Sequence, residues 1–360
     1  MTSAEPQPGQ FKVTVQPSGR AFHANPGEAI LPAAIRQGIG LPYGCKDGAC
    51  GSCKSRKLEG LVLHGPHQSK ALSAEEEAAG FILTCCGVPL TDVVIESRNV
   101  TDESAFPVRK MPSRVISLEK KSHDVIVVKL QLPANDTLRY HAGQYIEFIL
   151  RDGARRSYSM ANAPHTLAKS DASPPTGPAV ELHIRHMPGG KFTDHVFTAM
   201  KEKEILRVEG PYGSFYLRED SNKPMVLLAS GTGFAPIKAV IEHMQHKNID
   251  RPATLYWGGR RPADLYLDDW VRARLAEMPN LKYVPVISDA LPEDNWTGRT
   301  GFVHKAVMAD FPDLSGHQVY ACGAPVVVDS ARADYTAHAK LPPDEFFADS
   351  FTTEADKHRD

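Results

Sequence analysis

Three of the six cysteines in this 360-residue chain lie in one short stretch, YGCKDGACGSC, at positions 43–53. This density of sulfur constrains the fold more than any other feature, because closely spaced thiols converge on a common partner or on each other. A disulfide network, a zinc site, a redox pair and an iron–sulfur cluster are all open at this point. Two more cysteines, adjacent at 85 and 86, extend the question.

The composition narrows these alternatives. Charged residues make up 23% of the chain, hydrophobic residues 42%, and the formal net charge is −2, which is typical of globular proteins and predicts no bulk attraction to nucleic acid. The start, MTSAEPQPGQ, has no basic region followed by an apolar stretch, and no apolar run is long enough to span a bilayer. We therefore expect a cytoplasmic protein with no membrane association. Thiols stay reduced in that compartment, so a disulfide network is disfavoured.

The spacing of Cys45, Cys50 and Cys53 is C-x4-C-x2-C, and Cys85 follows a capped helix and an apolar strand. This is the plant-type ligand pattern of a [2Fe–2S] cluster. Structural zinc is the alternative, but zinc sites favour paired C-x2-C spacings, and only one such pair occurs. Side chains alternate along a strand, so only one of the neighbours Cys85 and Cys86 can reach the cluster. Three glycines permit the tight turns that direct amide hydrogens at the sulfurs, namely Gly44, Gly48 and Gly51.

Hydrophobic patterning divides the chain into three blocks. Residues 10–102 contain a hairpin, a short helix, and a Ser73–Glu76 capping box that opens a second helix, so they predict a compact α+β unit. Residues 110–219 contain six short β runs separated by turns, which suggest a closed antiparallel barrel. Residues 223–352 alternate strand with helix, which predicts a parallel sheet. A tail follows at 353–360.

The run RRSYSMAN carries Arg156, Tyr158 and Ser159, and here the chain resembles the ferredoxin–NADP⁺ reductase superfamily, whose motif is R-x-Y-S/T. The resemblance implies that Arg156 pairs with the flavin phosphate, Tyr158 packs on the isoalloxazine ring and Ser159 approaches flavin N5. Guanidinium, aromatic and hydroxyl groups suit these three tasks.

MPGGKFTDHVF is similar to the superfamily's G-G-x-x-S/T segment, with Gly189, Gly190 and Thr193 at the matching positions. The resemblance implies a helix that begins at the flavin pyrophosphate, where unpaired amides favour an anion. His183 and Arg185 in HIR lie where the family's strand touches the flavin.

ASGTGFAP follows an apolar strand and precedes a helix, which puts its glycines at a strand's carboxyl end, where α/β sheets bind nucleotides. With YWGGR and YACGAP, this is similar to the superfamily's nicotinamide domain. The resemblance implies that Cys322 lies near the nicotinamide C4, with Gly323 and Pro325 shaping its turn. The matching residues of the first loop are Gly231, Thr232 and Gly233.

In LYWGGRRPADLYLDD, the resemblance puts Asp264 and Tyr266 at the adenosine end of the nucleotide. Arg260 and Arg261 are close enough in sequence to attract a 2′-phosphate, whereas Asp264 would repel it, so we expect NADH. FFADSF resembles the family's closing strand, and its Phe351 matches the aromatic residue that approaches the flavin.

The order of the three blocks is similar to reductases that carry an N-terminal plant-type ferredoxin. The resemblance implies a β-grasp ferredoxin domain, a six-stranded antiparallel flavin-binding barrel and a parallel-sheet nicotinamide-binding domain, with Cys85 as the fourth ligand. The motifs are most similar to the family of CDP-6-deoxy-Δ3,4-glucoseen reductases; reductase components of aromatic-ring dioxygenases and multicomponent monooxygenases share the order.

An NAD(P)H-dependent oxidoreductase follows from this resemblance, with NADH, FAD, the [2Fe–2S] cluster and a dehydrase or oxygenase component as successive electron carriers. Ser159 and Cys322 are then the residues at the hydride-transfer centre. Four basic side chains close to the cysteine loop could form a docking face for the partner: Lys46, Lys54, Arg56 and Lys57.

Overall fold

The computed structural model of the protein describes residues 9–102, 106–133, 138–167 and 179–352. The chain divides into two compact units, of which the first is Met1–Pro107 with Ser350–Asp360 and the second is Val108–Asp349. The second unit contains two sheets: a six-stranded antiparallel sheet, which we call the flavin-type sheet, and a parallel sheet. The tail predicted at 353–360 lies outside the described residues.

The first unit is built on a five-stranded mixed sheet in the order β2-β1-β8-β4-β6. In FKVTV, alternation directs Val13 and Val15 into the core, where both are fully buried, and β1 forms the expected antiparallel hairpin with β2. The strand β8 then pairs with β1 in parallel. The elements are β1 (Phe11–Gln16), β2 (Arg20–Ala24), α1 (Ile30–Arg36), β3 (Ile39–Gly40), β4 (Lys54–Glu59), β5 (Val62–His64), α2 (Ala74–Ala78), β6 (Phe81–Leu83), β7 (Gly87–Pro89), β8 (Val93–Glu96) and β9 (Thr101–Asp102).

The helix α2 begins at the predicted capping box. The Ser73 hydroxyl accepts a hydrogen bond from the Glu76 amide at 3.2 Å, and the Glu76 carboxylate accepts one from the Ser73 amide at 3.0 Å. Gly80 follows the helix with φ +89°, a left-handed conformation that favours glycine. The chain therefore turns directly into β6, which leads to Cys85 and Cys86.

The second unit opens with a six-stranded antiparallel sheet in the order β13-β12-β15-β10-β11-β14. All six predicted strands are present. Within the described ranges of this region, its two edge strands are joined by one isolated bridge, between Met160 and Leu182, rather than by a continuous ladder, so the strand pairing described there does not form the fully closed barrel that was expected. The elements are β10 (Arg109–Lys120), β11 (Val125–Gln131), β12 (Tyr145–Ile149), β13 (Arg155–Ser159), β14 (Ala179–Arg185), α3 (Lys191–Thr198) and β15 (Ile205–Tyr212).

The rest of the second unit is the predicted α/β region, with sheet order β19-β18-β17-β16-β20-β21. The central strand β16 has parallel neighbours on both sides, β17 and β20, so the strand order reverses at β16. Ligands of open α/β sheets bind at the carboxyl ends of strands beside such a switch point. The elements are β16 (Met225–Ser230), α4 (Phe234–Lys247), β17 (Ala253–Gly259), α5 (Asp268–Glu277), β18 (Leu281–Ile287), β19 (Arg299–Thr300), α6 (Val303–Asp310), β20 (Gln318–Gly323), α7 (Pro325–His338) and β21 (Phe346–Ser350).

Among the helices of the described ranges, none has both the length and the apolar character that crossing a membrane requires.

Candidate cofactor sites

The cysteine loop follows a tightly turned backbone. Lys46, Gly48 and Gly51 all have left-handed conformations, with φ of +67°, +77° and +71°. A Cβ added to Gly48 would lie 2.9 Å from the Cβ of His67, and one added to Gly44 would lie 3.3 Å from the sulfur of Cys50. The loop therefore leaves no room for side chains at these glycines.

Backbone amides are directed at the sulfurs of this loop. The amide of Cys45 donates to the Cys50 sulfur, and the amide of Ala49 donates to the Cys45 sulfur, both at 3.4 Å. A hydrogen bond from the Cys45 thiol, followed by contributions from Ser52, lowers the pKa of Cys50 to about 6. Amide donors stabilise the thiolate form, which is the form that binds metal. The loop thus suits anionic sulfur ligands.

The segment after β6 lies against the same loop. The Thr84 amide and hydroxyl both donate to the Cys53 carbonyl oxygen, at 3.3 Å. Cys53 and Cys85 are buried, and the thiol contact between them raises the pKa of Cys85. Cys86 is half-buried, and its pKa is lowered to about 7, first by the Cys85 thiol. All six cysteines are free thiols.

Two thiol pairs therefore meet within one loop region, Cys45 with Cys50 and Cys53 with Cys85. Four cysteine sulfurs are the ligand set that a [2Fe–2S] cluster requires, and backbone amides are directed at two of them here, those of Cys45 and Cys50. The residue types present fit such a cluster, and the choice of the four ligands stays a prediction. Cys86 also touches Cys85, so adjacency alone does not separate the two candidates for the fourth position.

The flavin-motif strand β13 places its residues in different environments. Arg156 is half-buried, and its guanidinium donates to the Arg155 carbonyl at 2.7 Å. The Tyr158 ring packs against Phe148 and Phe192, with ring centroids 5.8 and 5.5 Å apart. These aromatic contacts fix the orientation of the Tyr158 ring.

Ser159 forms a long-range contact that the sequence did not reveal. Its hydroxyl donates to a carboxylate oxygen of Asp349 at 3.1 Å, and both residues are buried. Cys322 is fully buried as well; burial, and then the negative charge of Asp349, raise the pKa of its thiol. Asp349 of β21 therefore forms a hydrogen bond with one of the two residues predicted at the hydride-transfer centre, and its negative charge acts on the other. The available signal was an acidic residue within the apolar run FFADSF.

The turn before α3 is closed by its own side chains. The Thr193 hydroxyl donates to the Met187 carbonyl at 2.9 Å, and the Gly189 amide, at φ +82°, donates to Asp194 at 3.1 Å. A Cβ at Gly190 would lie 2.7 Å from the Thr193 hydroxyl oxygen. Gly189, Gly190 and Thr193 thus form one compact turn, in which Thr193 bonds to the backbone.

His183 and Tyr266 face each other in the interior. The Nδ1 of His183 lies 2.8 Å from the Tyr266 hydroxyl, and its Nε2 lies 3.0 Å from Glu181. Tyr266 also contacts the Trp257 ring edge-on at 5.3 Å between centroids. The Tyr266 hydroxyl, which we expected at the adenosine end, is therefore bonded to the flavin-type sheet.

The loop after β16 and the end of β20 are in direct backbone contact. A Cβ at Gly233 would lie 2.1 Å from the Cys322 carbonyl oxygen, and one at Gly323 would lie 2.4 Å from the Ser230 carbonyl oxygen. Thr232 is buried between these glycines. The predicted Gly231–Gly233 and Cys322–Pro325 motifs therefore lie together at the switch point. Arg185 reaches the same place, because a Cβ at Gly231 would lie 3.2 Å from its guanidinium.

The turn after β17 combines two arginines with one buried aspartate. One Asp264 oxygen accepts from the amides of Arg260 and Arg261, at 2.8 and 3.1 Å. The other is buried and has no hydrogen-bond partner in the described part of the chain. The Arg261 guanidinium forms a two-point ion pair with Asp294, at 2.6 and 2.7 Å.

Phe351 is half-buried in the first unit, one residue before the end of the described chain.

Three family models match the chain. The 2Fe-2S iron-sulfur cluster binding domain matches residues 13–90, the oxidoreductase FAD-binding domain residues 112–216 and the oxidoreductase NAD-binding domain residues 227–333. The fold and these sites define an oxidoreductase that contains one centre for each of three redox groups. The chain belongs to the family of iron–sulfur flavoprotein reductases.

Similar proteins cover nearly the full length. The chain is 39% identical to the CDP-6-deoxy-L-threo-D-glycero-4-hexulose-3-dehydrase reductase of Yersinia pseudotuberculosis, over 95% of this chain and 98% of that protein. It is 34% identical to the terephthalate 1,2-dioxygenase reductase component 2 of Comamonas sp., over 95% and 97%. Among solved structures, the Amycolatopsis cytochrome P450 reductase GcoB matches with a TM-score of 0.76 and 32% identity, over 95% of this chain and 99% of that one.

Proposed function

We propose that this reductase takes electrons from NADH and delivers them to a sugar-nucleotide 3-dehydrase. The observation that carries the choice of partner is the 39% identity, over nearly the whole chain, to a reductase named for such a dehydrase. When bound, FAD accepts a hydride from NADH and releases single electrons to the [2Fe–2S] centre. The residues of this chain bind and orient these groups.

At the hydride-transfer centre, the roles of Ser159 and Cys322 depend on the buried groups that each contacts. The Ser159 hydroxyl donates its hydrogen to Asp349, so its oxygen would be left to accept a hydrogen bond from an N–H of the reduced flavin. Gly233 and Gly323 allow the loop after β16 and the end of β20 to pack directly against each other beside Cys322, because a Cβ at either position would meet a backbone oxygen. The nicotinamide ring can then lie against the ends of β16 and β20.

Cofactor binding divides among the remaining predicted residues. Arg156 supplies a guanidinium for the flavin phosphate and Tyr158 supplies a ring for the isoalloxazine. His183 and Arg185 support the flavin side from β14. The pyrophosphate-binding turn consists of Gly189, Gly190 and Thr193.

Cluster binding rests on Cys45, Cys50, Cys53 and Cys85. The amide of Cys45 donates to the Cys50 sulfur, and the amide of Ala49 to the Cys45 sulfur, so the negative charge of a bound cluster is stabilised by the loop itself. Burial of Cys53 and Cys85 excludes water from the other side.

The preference for NADH follows from charges at the end of β17. The carboxylate of Asp264 lies in the turn after β17 with one oxygen buried, and its negative charge would repel a 2′-phosphate. Asp294 already holds the Arg261 guanidinium, so this arginine is not free to bind that phosphate. Asp264 thus favours NADH.

A second candidate partner is the oxygenase component of an aromatic-ring dioxygenase, which the 34% identity to the terephthalate dioxygenase reductase favours. Either partner needs access to the cluster, and Lys46, Lys54, Arg56 and Lys57 are the candidate docking residues. Lys54 also forms an ion pair with Glu76 at 2.6 Å.

The route can be tested by replacing one cluster ligand. Cys50→Ser should abolish NADH-dependent reduction of cytochrome c and largely spare that of ferricyanide, which the flavin alone supports. Equal loss of both would contradict the route. The partner is tested by supplying purified dehydrase or dioxygenase component and measuring which one stimulates NADH oxidation. Stimulation by the dioxygenase alone would replace the first partner with the second.

A further inference from the structure

The helix α4 begins directly after the loop Gly231–Gly233, which we call the nicotinamide loop. It carries two charged residues one turn apart, Lys238 and Glu242. The Lys238 side chain is 6% exposed, which is rare for lysine. Its ammonium group donates to Glu242 at 2.6 Å and to the carbonyl of Ala161 at 3.1 Å. The second oxygen of Glu242 accepts from the amide of Ala163 at 2.9 Å. The pair therefore binds a backbone acceptor and a backbone donor of the flavin-type sheet.

The segment that Lys238 and Glu242 contact, residues 161–163, directly follows the flavin motif. Its first residue, Ala161, lies two residues after Ser159. The Ala161 amide donates to the Glu181 carbonyl at 2.7 Å, and the carbonyl of the next residue, Asn162, accepts from the Tyr140 hydroxyl at 2.7 Å. Hydrogen bonds from α4, from β14 and from the Tyr140 side chain thus hold this segment. A shift of α4 would move it, and with it the position of Ser159.

The surroundings balance the buried charge of Lys238. Its ammonium group lies 3.2 Å from Glu181 and 5.1 Å from the centre of the Trp270 ring. Burial works to raise the pKa of Glu181, but the hydrogen bond with His183 and the charge of Lys238 outweigh it, so the pKa lies well below its usual range. Both carboxylates and a carbonyl therefore compensate the cation.

A buried ion pair stabilises a fold no better than well-packed apolar residues of similar size. Stability alone therefore does not account for a lysine at this position. The ion pair defines the position of α4 relative to residues 161–163, because its hydrogen bonds are directional and form at only one relative position of the two segments.

We propose that Lys238 and Glu242 are positioning residues that set the distance between the nicotinamide loop and Ser159, and through it the approach of the nicotinamide to the flavin. This inference rests on the proposed hydride transfer from NADH. The pair acts through the backbone of Ala161 and Ala163 and contacts neither reacting group.

The test compares holoenzyme variants in single-turnover reduction by NADH. In Lys238→Met, we expect the limiting rate of flavin reduction to fall at least about tenfold, because small misplacements of reacting groups are costly. The dissociation constant of NADH should change less than about twofold, a difference too small to reflect a lost contact. Lys238→Arg should recover part of the rate. Lys247→Met, at the exposed end of the same helix, is the matched control and should behave as wild type.

A second readout does not depend on turnover. In Glu242→Ala, the amide hydrogen of Ala163 loses its acceptor, so its exchange with solvent should accelerate. The shorter alanine side chain also no longer covers this segment, so the amides of the peptide 160–164 should become more exposed to solvent. Glu242→Gln keeps the side-chain volume and should show a smaller change. Flavin content and the unfolding temperature are measured for every variant.

An unchanged limiting rate in Lys238→Met would overturn the proposal. So would a rate that falls only in proportion to flavin content, with no recovery in Lys238→Arg, because that pattern indicates a purely structural role. Failure of the proposed function would look different, since NADH would then not reduce the flavin of the wild-type protein at all.

Discussion

Replacing Gly48 by alanine tests how tightly the cysteine loop is closed. Gly48 has φ +77°, and an added Cβ would lie 2.9 Å from the Cβ of His67 and 3.0 Å from the carbonyl oxygen of Pro66. The Gly48 carbonyl also accepts from the amide of Gln68 at 3.1 Å, so the two segments cannot separate without losing a hydrogen bond. The alanine methyl group therefore has no space to enter.

Gly19 provides a matched control in the same unit. It has φ +69°, and a Cβ there would have no neighbour within 4 Å. Alanine at Gly19 should cost about 1–2 kcal/mol, the usual penalty of a left-handed conformation. Alanine at Gly48 incurs that penalty plus about 1–3 kcal/mol for crowding against backbone, which amounts to about 2–5 kcal/mol.

Both variants can be compared with wild type by urea unfolding, followed through the visible absorption of the bound cluster. We expect the midpoint to fall clearly further for Gly48→Ala than for Gly19→Ala, together with a lower iron content. Equal losses of stability would show that only backbone conformation matters at Gly48. The steric reasoning about the loop would then be refuted.

Three other predictions follow from named contacts. Cys85→Ser should lose iron and acid-labile sulfide whereas Cys86→Ser keeps both, because the Cys85 thiol is buried against another ligand thiol. Asp294→Asn frees the arginine it holds, so the ratio of kcat/KM for NADPH to that for NADH should rise about tenfold, and 2′-AMP should bind more tightly; Glu293→Gln, at 3.6 Å from that arginine, should change the ratio less. Burial lowers the pKa of His183, so the folded state holds this side chain neutral. Its contribution to the free energy of unfolding is complete above the unfolded pKa of about 6.5 and is lost as pH falls through the folded pKa. His183→Asn should therefore weaken the decline in stability between about pH 7 and 5.

Each of these has an opposing outcome. Iron loss in Cys86→Ser with retention in Cys85→Ser would exchange the two residues in the ligand set. An unchanged coenzyme ratio in Asp294→Asn would show that this ion pair does not control access of the 2′-phosphate. Identical dependence of unfolding on pH with and without His183 would show that its burial has no energetic consequence.

The sequence determined the features that depend on near neighbours in the chain. The cysteine spacing at 45–53, the capping box at Ser73 and Glu76, the six β runs at 109–212 and the glycine loop between β16 and α4 are all local patterns. Each follows from residues a few positions apart, because turn geometry, capping and side-chain alternation act over that range. These patterns were sufficient to predict the α+β unit, the six antiparallel strands, the parallel sheet and the [2Fe–2S] cluster, whereas the flavin and the nicotinamide followed from the family resemblance.

The tertiary structure decided which distant side chains meet. Ser159 and Asp349 are 190 residues apart in sequence and share a buried hydrogen bond, and Lys238 reaches the backbone of the segment that follows β13, 77 residues before it. The same packing turned Tyr266 inward and paired Arg261 with Asp294. Such partners cannot be read from spacing, because each bond depends on how sheets and helices pack once the chain has folded, and the low polarity of that interior favours a hydrogen bond for most buried polar groups.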